Sequence, residues 1–468
     1  MTTSEARPEQ ADLYALRAED VQEPPTTLRG RLKYLGPGMI LSAAVVGSGE
    51  LILTTSLGAR AGFALMWLII VATTVKVWVQ MELGRLTVLY GRPALEAFSD
   101  VAPKTRRGSW INYLWIGMDF AKMFQRGGII GGVAAACSIL WPIVGEPLSR
   151  ESTTVWCVVV VVITIAILQS SKYSIVETAS VIAVAMFTLI TVGLALALPF
   201  TEFGWGVGDI AGGLEFAVPV GALGLAVAMF GSTGVGADEM TTYTYWCMEK
   251  GYARWTGPAD GTKDRDRRAE GWLKVMRLDV AVGWLVCTIC TIAFYIIGAS
   301  VLHPQGLVPE GNEMITTLSR MYTDTIGGWA EIVFLLGAIA VLFSTNIGST
   351  ASVPRLWTNT LGIIGVLNWK DPEVRRKTIR ILTFCFPPLW ASFYLFVQSP
   401  VLMVQIGGIG SGIFLVAVVI GVWYLRAKEP DKRFRPNPFI TGALVVSSIA
   451  IMLLGVYSAL EVFGISIG

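Results

Sequence analysis

The stretch Met39–Leu57, MILSAAVVGSGELILTTSL, decides how the rest of the chain is read. It is apolar enough to cross a bilayer, yet Gly47-Ser48-Gly49 interrupts its middle and Glu50 follows at once. A carboxylate at bilayer depth costs about 2.5–3.5 kcal/mol on insertion scales, so it is kept there for function. Non-helical backbone at that depth survives only where protein buries it or where it lines a wet cavity. Interrupted helices meeting halfway through the membrane are how many transporters build an ion site. The segment therefore predicts a broken membrane helix with Glu50 at the break.

A second stretch repeats the pattern. Gly231-Ser232-Thr233-Gly234-Val235-Gly236-Ala237-Asp238-Glu239 sets helix-weakening residues beside acids inside another apolar run. Each Gly costs a helix about 1 kcal/mol relative to Ala, so this run also predicts an unwound segment. Tight helix packing alone explains small residues, but it does not explain an acid beside each cluster.

Composition agrees with a membrane protein. The 468 residues are 53% hydrophobic and only 15% charged, against about 25% charged in soluble domains, and the mean hydropathy is +0.60. Candidate spans run over 37–59, 63–90, 110–141, 154–169, 175–200, 218–246, 278–302, 328–352, 379–397, 402–425 and 439–463. The broken spans are the first and the sixth of these, so they enter from opposite sides. That relation is the signature of an inverted repeat of five spans each, with paired interruptions marking the substrate site.

The expected organisation is a tail over 1–27, disordered by its polar composition, and a single transport domain over 28–468. Within that domain one repeat covers about 36–200, the second about 217–425, and an extra helix about 436–465. Lys and Arg alternate sharply between loops. Arg29/Arg31/Lys33, Lys104/Arg106/Arg107, Lys172, Lys250 through Arg277, Arg355 through Arg380 and Arg426 through Arg435 all fall on one side of an eleven-span chain. The positive-inside rule places that side and the N-terminus in the cytoplasm of a prokaryotic cell, with the C-terminus outside the inner membrane. Gly251–Gly271 reads as a solvated linker. Cys287 and Cys290 form a CxxC at helical spacing inside a span, which reads as packing.

The residues resemble the Nramp family of divalent-metal transporters. The likeness is densest at Leu35-Gly36-Pro37-Gly38, Gly47–Glu50, Gly84-Arg85-Leu86, Tyr90-Gly91-Arg92 and the sixth-span break. It implies the LeuT-type all-α fold with a five-plus-five inverted repeat, and a transporter rather than an enzyme. Typical members carry Asp-Pro-Gly-Asn at the first break, where this chain has Gly47-Ser48-Gly49-Glu50. They carry Met-Pro-His-Asn in the sixth, where the ungapped match is Val235-Gly236-Ala237-Asp238. The pattern is similar to the Nramp-related magnesium transporters.

A thioether favours soft metals; replacing it with small residues and hard oxygen suits Mg²⁺, which keeps several waters and takes one or two carboxylates. The expected ion ligands are Glu50, then Asp238, then Gln405, with backbone at Gly47, Gly234 and Val235 facing the ion or its water. Asn346 is a weaker candidate. No cofactor is expected: Mg²⁺ or Mn²⁺ is the cargo. The partners are divalent ions and the lipid bilayer, with no nucleic acid and no obligatory protein.

The single histidine, His303, falls at a span end, so no imidazole serves mid-membrane proton transfer. Asp119, Lys122 and Arg126 share one helical face and read as a locked salt bridge, with Lys76 and Glu82 as partners. The expectation is uncoupled, facilitated uptake. Two alternatives stand beside it: a proton-coupled Mn²⁺ transporter, and a LeuT-type amino-acid/cation symporter whose substrate carboxylate Glu50 would repel. A membrane sensor or enzyme is the reading from another class.

Overall fold

Apolar runs of about 20 residues, bounded by charged loops, satisfy their backbone internally by becoming helices. The computed structural model describes residues 12–38, 47–170, 173–219 and 221–462. In chain order a π-helical turn over Gly49–Thr54 runs into α1 (Thr55–Ala61), followed by α2 (Met66–Tyr90), α3 (Trp110–Leu140), α4 (Arg150–Gln169) and α5 (Tyr173–Ala197). The second half contains α6 (Leu223–Ser232), α7 (Ala237–Lys250), α8 (Lys263–Ile297), α9 (Ala330–Ile363), α10 (Pro372–Val397), α11 (Pro400–Lys428) and α12 (Pro438–Val462). Among the described residues nine helices are long and apolar enough to cross a membrane. Neither the first nor the sixth predicted span is one of them.

The sixth span is broken where its sequence weakens it. α6 stops at Ser232, Thr233 is extended, Gly234 takes a left-handed φ of +69°, and α7 restarts at Ala237. An L side chain at Gly234 would be strained there. In the first span the helix has already begun at Ser48; residues 39–46, which hold part of the expected Met39–Leu57 run, lie outside the described residues. The Gly49–Thr54 turn packs against α6, α8 and α11, so the two interrupted spans sit side by side.

Close approach between α6 and α11 explains the glycines that flank the break. A Cβ on Gly231 would lie 1.8 Å from the Gly408 carbonyl oxygen, and one on Gly408 would lie 2.3 Å from that of Ala228. Both contacts are backbone atoms, so the helices touch without side chains between them. Further out, α3 packs on α9, α10 and α11, and α2 packs on α8 and α12.

The basic-loop face is more built than the sequence suggests. Gly251–Gly271, expected as a solvated linker, contains a short helix over Tyr252–Thr256 and the first turns of α8. Thr262 caps α8 by accepting from the Arg265 N–H, and Arg265 reaches back to donate to the Leu89 carbonyl. The reason is an aromatic cluster under the loop: Trp255 and Trp272 lie 4.7 Å apart between ring centroids, with Tyr34 and Tyr252 around them. Residues 12–27 fall in the stretch expected to be a disordered tail. Here Tyr14 donates to Glu249 at 2.7 Å, Arg375 pairs with Asp12, and Trp272 donates to the Gln22 carbonyl.

Candidate ion site between two interrupted helices

Glu50 is fully buried, and its carboxylate ties the two breaks together. Oε2 accepts from the Gly47 N–H at 3.3 Å, and Oε1 accepts from the Gly234 N–H at 3.0 Å. The first bond caps the start of its own helical segment; the second crosses to the left-handed residue of the sixth-span break. Thr54 and Thr233 add a hydroxyl contact at 3.1 Å, and Thr54 donates to the Gly49 carbonyl at 3.0 Å. The Cys287 thiol donates to Glu50 Oε1 at 3.7 Å. One acid thus satisfies an N–H at the start of the first helical segment and an N–H in the unwound break of the sixth span.

Beside this joint lies a cavity of about 30 Å³, lined by Ser48, Gln125, Ser232, Asp238, Glu239 and Thr345 among others. That is room for about one water molecule. Four oxygens from its walls have no hydrogen-bond partner among the described residues: Gln125 Oε1, Ser232 Oγ, Asp238 Oδ1 and Glu239 Oε2. Buried polar atoms are normally paired, so such a cluster needs an occupant. All four are hard oxygen donors.

The acids of α7 are held from the third span. Arg126 donates to Asp119 at 2.7 Å and to Asp238 at 2.8 Å, and Lys122 pairs with Glu239 at 3.4 Å. Trp357 of α9 donates its indole N–H to the other oxygen of Asp119. The locked salt bridge expected on this face exists, but its partners are corrected. They are Asp238 and Glu239 rather than Lys76 and Glu82. Glu82 instead bonds Arg85 at 2.7 Å and Arg426 at 2.9 Å near the basic-loop face. Lys76 donates to the carbonyls of Phe230, at 2.7 Å, and Thr233. Depth explains the correction: the two side chains are six residues apart on α2, about 1.7 turns or about 9 Å along the axis, so they serve different layers.

Of the residues singled out in the sequence, Glu50, Gly47 and Gly234 are joined by hydrogen bonds, and Asp238 lines the neighbouring cavity, which those three do not line. Val235 is half-buried in the break. Gln405 is half-buried on α11 and does not line the cavity. Asn346 donates to Thr164 at 2.8 Å and so joins α9 to α4. Sequence reasoning missed Gln125, Ser232 and the role of Lys76. The signal for Lys76 was available, because an ammonium in the middle of a predicted span is a functional hypothesis by default. Asp279 was also missed: it accepts from the N–H groups of Gly36, at 2.9 Å, and Gly38, at 2.6 Å, and anchors the start of the first span to α8.

Residues 38–461 match the family described as Natural resistance-associated macrophage protein-like, Nramp. The chain is 23% identical over 432 residues to the divalent metal cation transporter MntH of Caldanaerobacter subterraneus subsp. tengcongensis, covering 91% of this chain and 92% of that protein. It is 24% identical over 378 residues to MntH of Mycobacterium tuberculosis, covering 79% of this chain and 80% of the relative. Among solved structures, the manganese transporter of Eremococcus coleocola superposes with a TM-score of 0.64 at 14% identity, covering 95% of this chain and 90% of that one. Mhp1, a nucleobase-cation-symport-1 family transporter, superposes with a TM-score of 0.56 at 14% identity, covering 91% and 92%. At such identities the likeness is one of fold.

Proposed function

The chain belongs to the Nramp family, and from that premise we propose that it carries divalent cations, chiefly Mg²⁺ with Mn²⁺ as a second substrate, by uncoupled facilitated uptake. The N-terminus and the basic loops face the cytoplasm of a prokaryotic cell, and residues 28–468 form one transport domain. One observation carries the reading: four partnerless hard oxygens around a small cavity between two interrupted helices. Among the described residues no thioether or imidazole lines that cavity, and the nearby Cys287 thiol is engaged as a donor to Glu50.

Among the described residues no group of three His, Cys, Asp or Glu side chains could hold a metal ion. The proposed occupant is a dication of the kind that prefers hard oxygen, such as Mg²⁺. Asp238 and Glu239 face it with charge, Gln125 and Ser232 with neutral oxygen. A carboxylate offers about four acceptor sites; Glu50 spends two on backbone and one on the Cys287 thiol, and the fourth is left for the ion's water shell. The backbone at Gly47, Gly234 and Val235 borders the same shell, and Gln405 meets the ion along its path. Of the three buried bases of this layer, Lys122 and Arg126 line the cavity with Asp238 and Glu239 while Lys76 lies outside it, so the wall is balanced in charge and the pull on a cation comes from the two carboxylate oxygens left without a partner. The three bases are already engaged by protein groups, which disfavours an organic substrate that needs one for its carboxylate. Two charges moving through 100 mV gain about 4.6 kcal/mol, enough to accumulate the ion without a co-substrate.

The test is parallel uptake of Mg²⁺ and Mn²⁺ into proteoliposomes with an internal pH dye. Saturable uptake of both ions without acidification is expected, falling at least about tenfold in the Asp238→Asn, Glu239→Gln double variant. Acidification in step with uptake overturns the uncoupled mechanism, and the absence of any divalent flux overturns the cargo.

A further inference from the structure

We propose that the break of the sixth span is a site for one monovalent cation, and that the Lys76 ammonium occupies it as a tethered ion. Lys76 is fully buried. Its Nζ donates to the carbonyls of Phe230, in the last turn of α6, and of Thr233, just past its end, and lies 5.2 Å from the Phe230 ring centroid. No carboxylate pairs with it among the described residues; Glu239, Glu50 and Lys122 are its charged neighbours at longer range.

A buried ammonium without an ion pair is costly unless something else compensates it. Here the compensation is the C-terminal end of α6, whose unpaired carbonyls carry the negative end of the helix dipole. Half-helix C-termini and unwound carbonyls are where transporters of interrupted-helix design coordinate a monovalent coupling ion. The Phe230 ring adds cation–π attraction to the two carbonyls. In this chain the second span supplies the charge covalently, so a free sodium or potassium ion has no place to enter. The consequence deepens the uncoupled reading and rests on it: flux needs no monovalent co-ion because the co-ion is part of the protein.

Lys76→Ala removes the ammonium and leaves the carbonyls bare. Thermal unfolding in detergent is measured for wild type and variant in sodium, ethylammonium and choline chloride at equal ionic strength. Wild type is expected to unfold at the same temperature in all three. The variant is expected to gain several degrees, saturably, in sodium or ethylammonium relative to choline. A variant that folds only when sodium or ethylammonium is present supports the proposal in the same way. A folded variant indifferent to the salt, a variant unfolded in all three, or a wild type stabilised specifically by sodium overturns it. Because the readout is stability in detergent, it stands apart from whether divalent flux is seen.

Discussion

Replacing Glu50 by Gln removes one acceptor from a joint that uses both. An amide has one carbonyl oxygen, so it can serve either the Gly234 N–H, now at 3.0 Å, or the Gly47 N–H, now at 3.3 Å. The shorter bond survives, and the Gly47 N–H faces an NH₂ group. A buried unsatisfied donor costs about 1–3 kcal/mol. The surviving bond also changes from charge-assisted to neutral, a further loss of about 1 kcal/mol. Relief of the buried charge offsets part of this, which leaves a destabilisation of about 2–3 kcal/mol. At about 2 °C per kcal/mol, the low end appropriate to long chains, Tm falls by about 4–6 °C. Tryptophan fluorescence in detergent measures Tm, and amide hydrogen exchange of peptides containing Gly47 and Gly234 locates the loosening. Glu50→Asp keeps the charge but is too short to reach both breaks, so it is expected to loosen the same peptides. If both variants unfold and exchange like wild type, Glu50 does not join the helices and the reasoning is refuted.

Two further outcomes follow from the packing around that joint. Gly231→Ala should gain about 1 kcal/mol in helix propensity, yet its Cβ would sit 1.8 Å from a backbone oxygen of α11; overpacking of about 1–3 kcal/mol or more should win and lower Tm, and a stabilised variant would show that α6 and α11 are not in contact. Arg126→Met leaves Asp119 and Asp238 buried without their partner and should cost about 3–5 kcal/mol, most of it recovered when both acids are also neutralised to Asn; chemical denaturation of the single and triple variants checks this, and equal loss in both would mean the pairs are not coupled.

Much of the fold was legible because its signals are local. Nine of the expected spans appear as long apolar helices among the described residues, since an apolar run of bilayer length has few other ways to satisfy its backbone. The sixth-span interruption was readable from Gly234 and its neighbours for the same reason. What was not legible depends on which layer of the membrane a side chain occupies. Lys76 and Glu82 lie on one predicted helix, but only coordinates separate the carbonyls that Lys76 meets from the arginines that Glu82 meets. Gln125 escaped notice because a neutral amide in an apolar span carries no charge signal. The helical start of the stretch expected as a linker was masked by its charged residues, which face water on one side while Trp272 and Arg265 are buried on the other.

The charges of the third span also bear on how a loaded site differs from an empty one. Arg126 and Lys122 both attach α3 to the first turn of α7, through Asp238 and Glu239. Lys76 attaches α2 to the last turn of α6. Each half of the broken helix is thus tethered to a different span, and the backbone between them, Thr233–Gly236, is held by Lys76 at the Thr233 carbonyl and by Glu50 at the Gly234 N–H. Moving one half against the other concentrates the change in those residues, where Gly234 already holds a conformation closed to most side chains. On the proposed reading, a dication entering beside Asp238 Oδ1 and Glu239 Oε2 offers these acids the charge that Arg126 and Lys122 otherwise supply. Its arrival weakens the attachment of α7 to α3 and leaves the attachment of α6 to α2 untouched. Binding would then release one half-helix and not the other, which is a differential interaction of the kind a ligand needs in order to shift a conformational equilibrium.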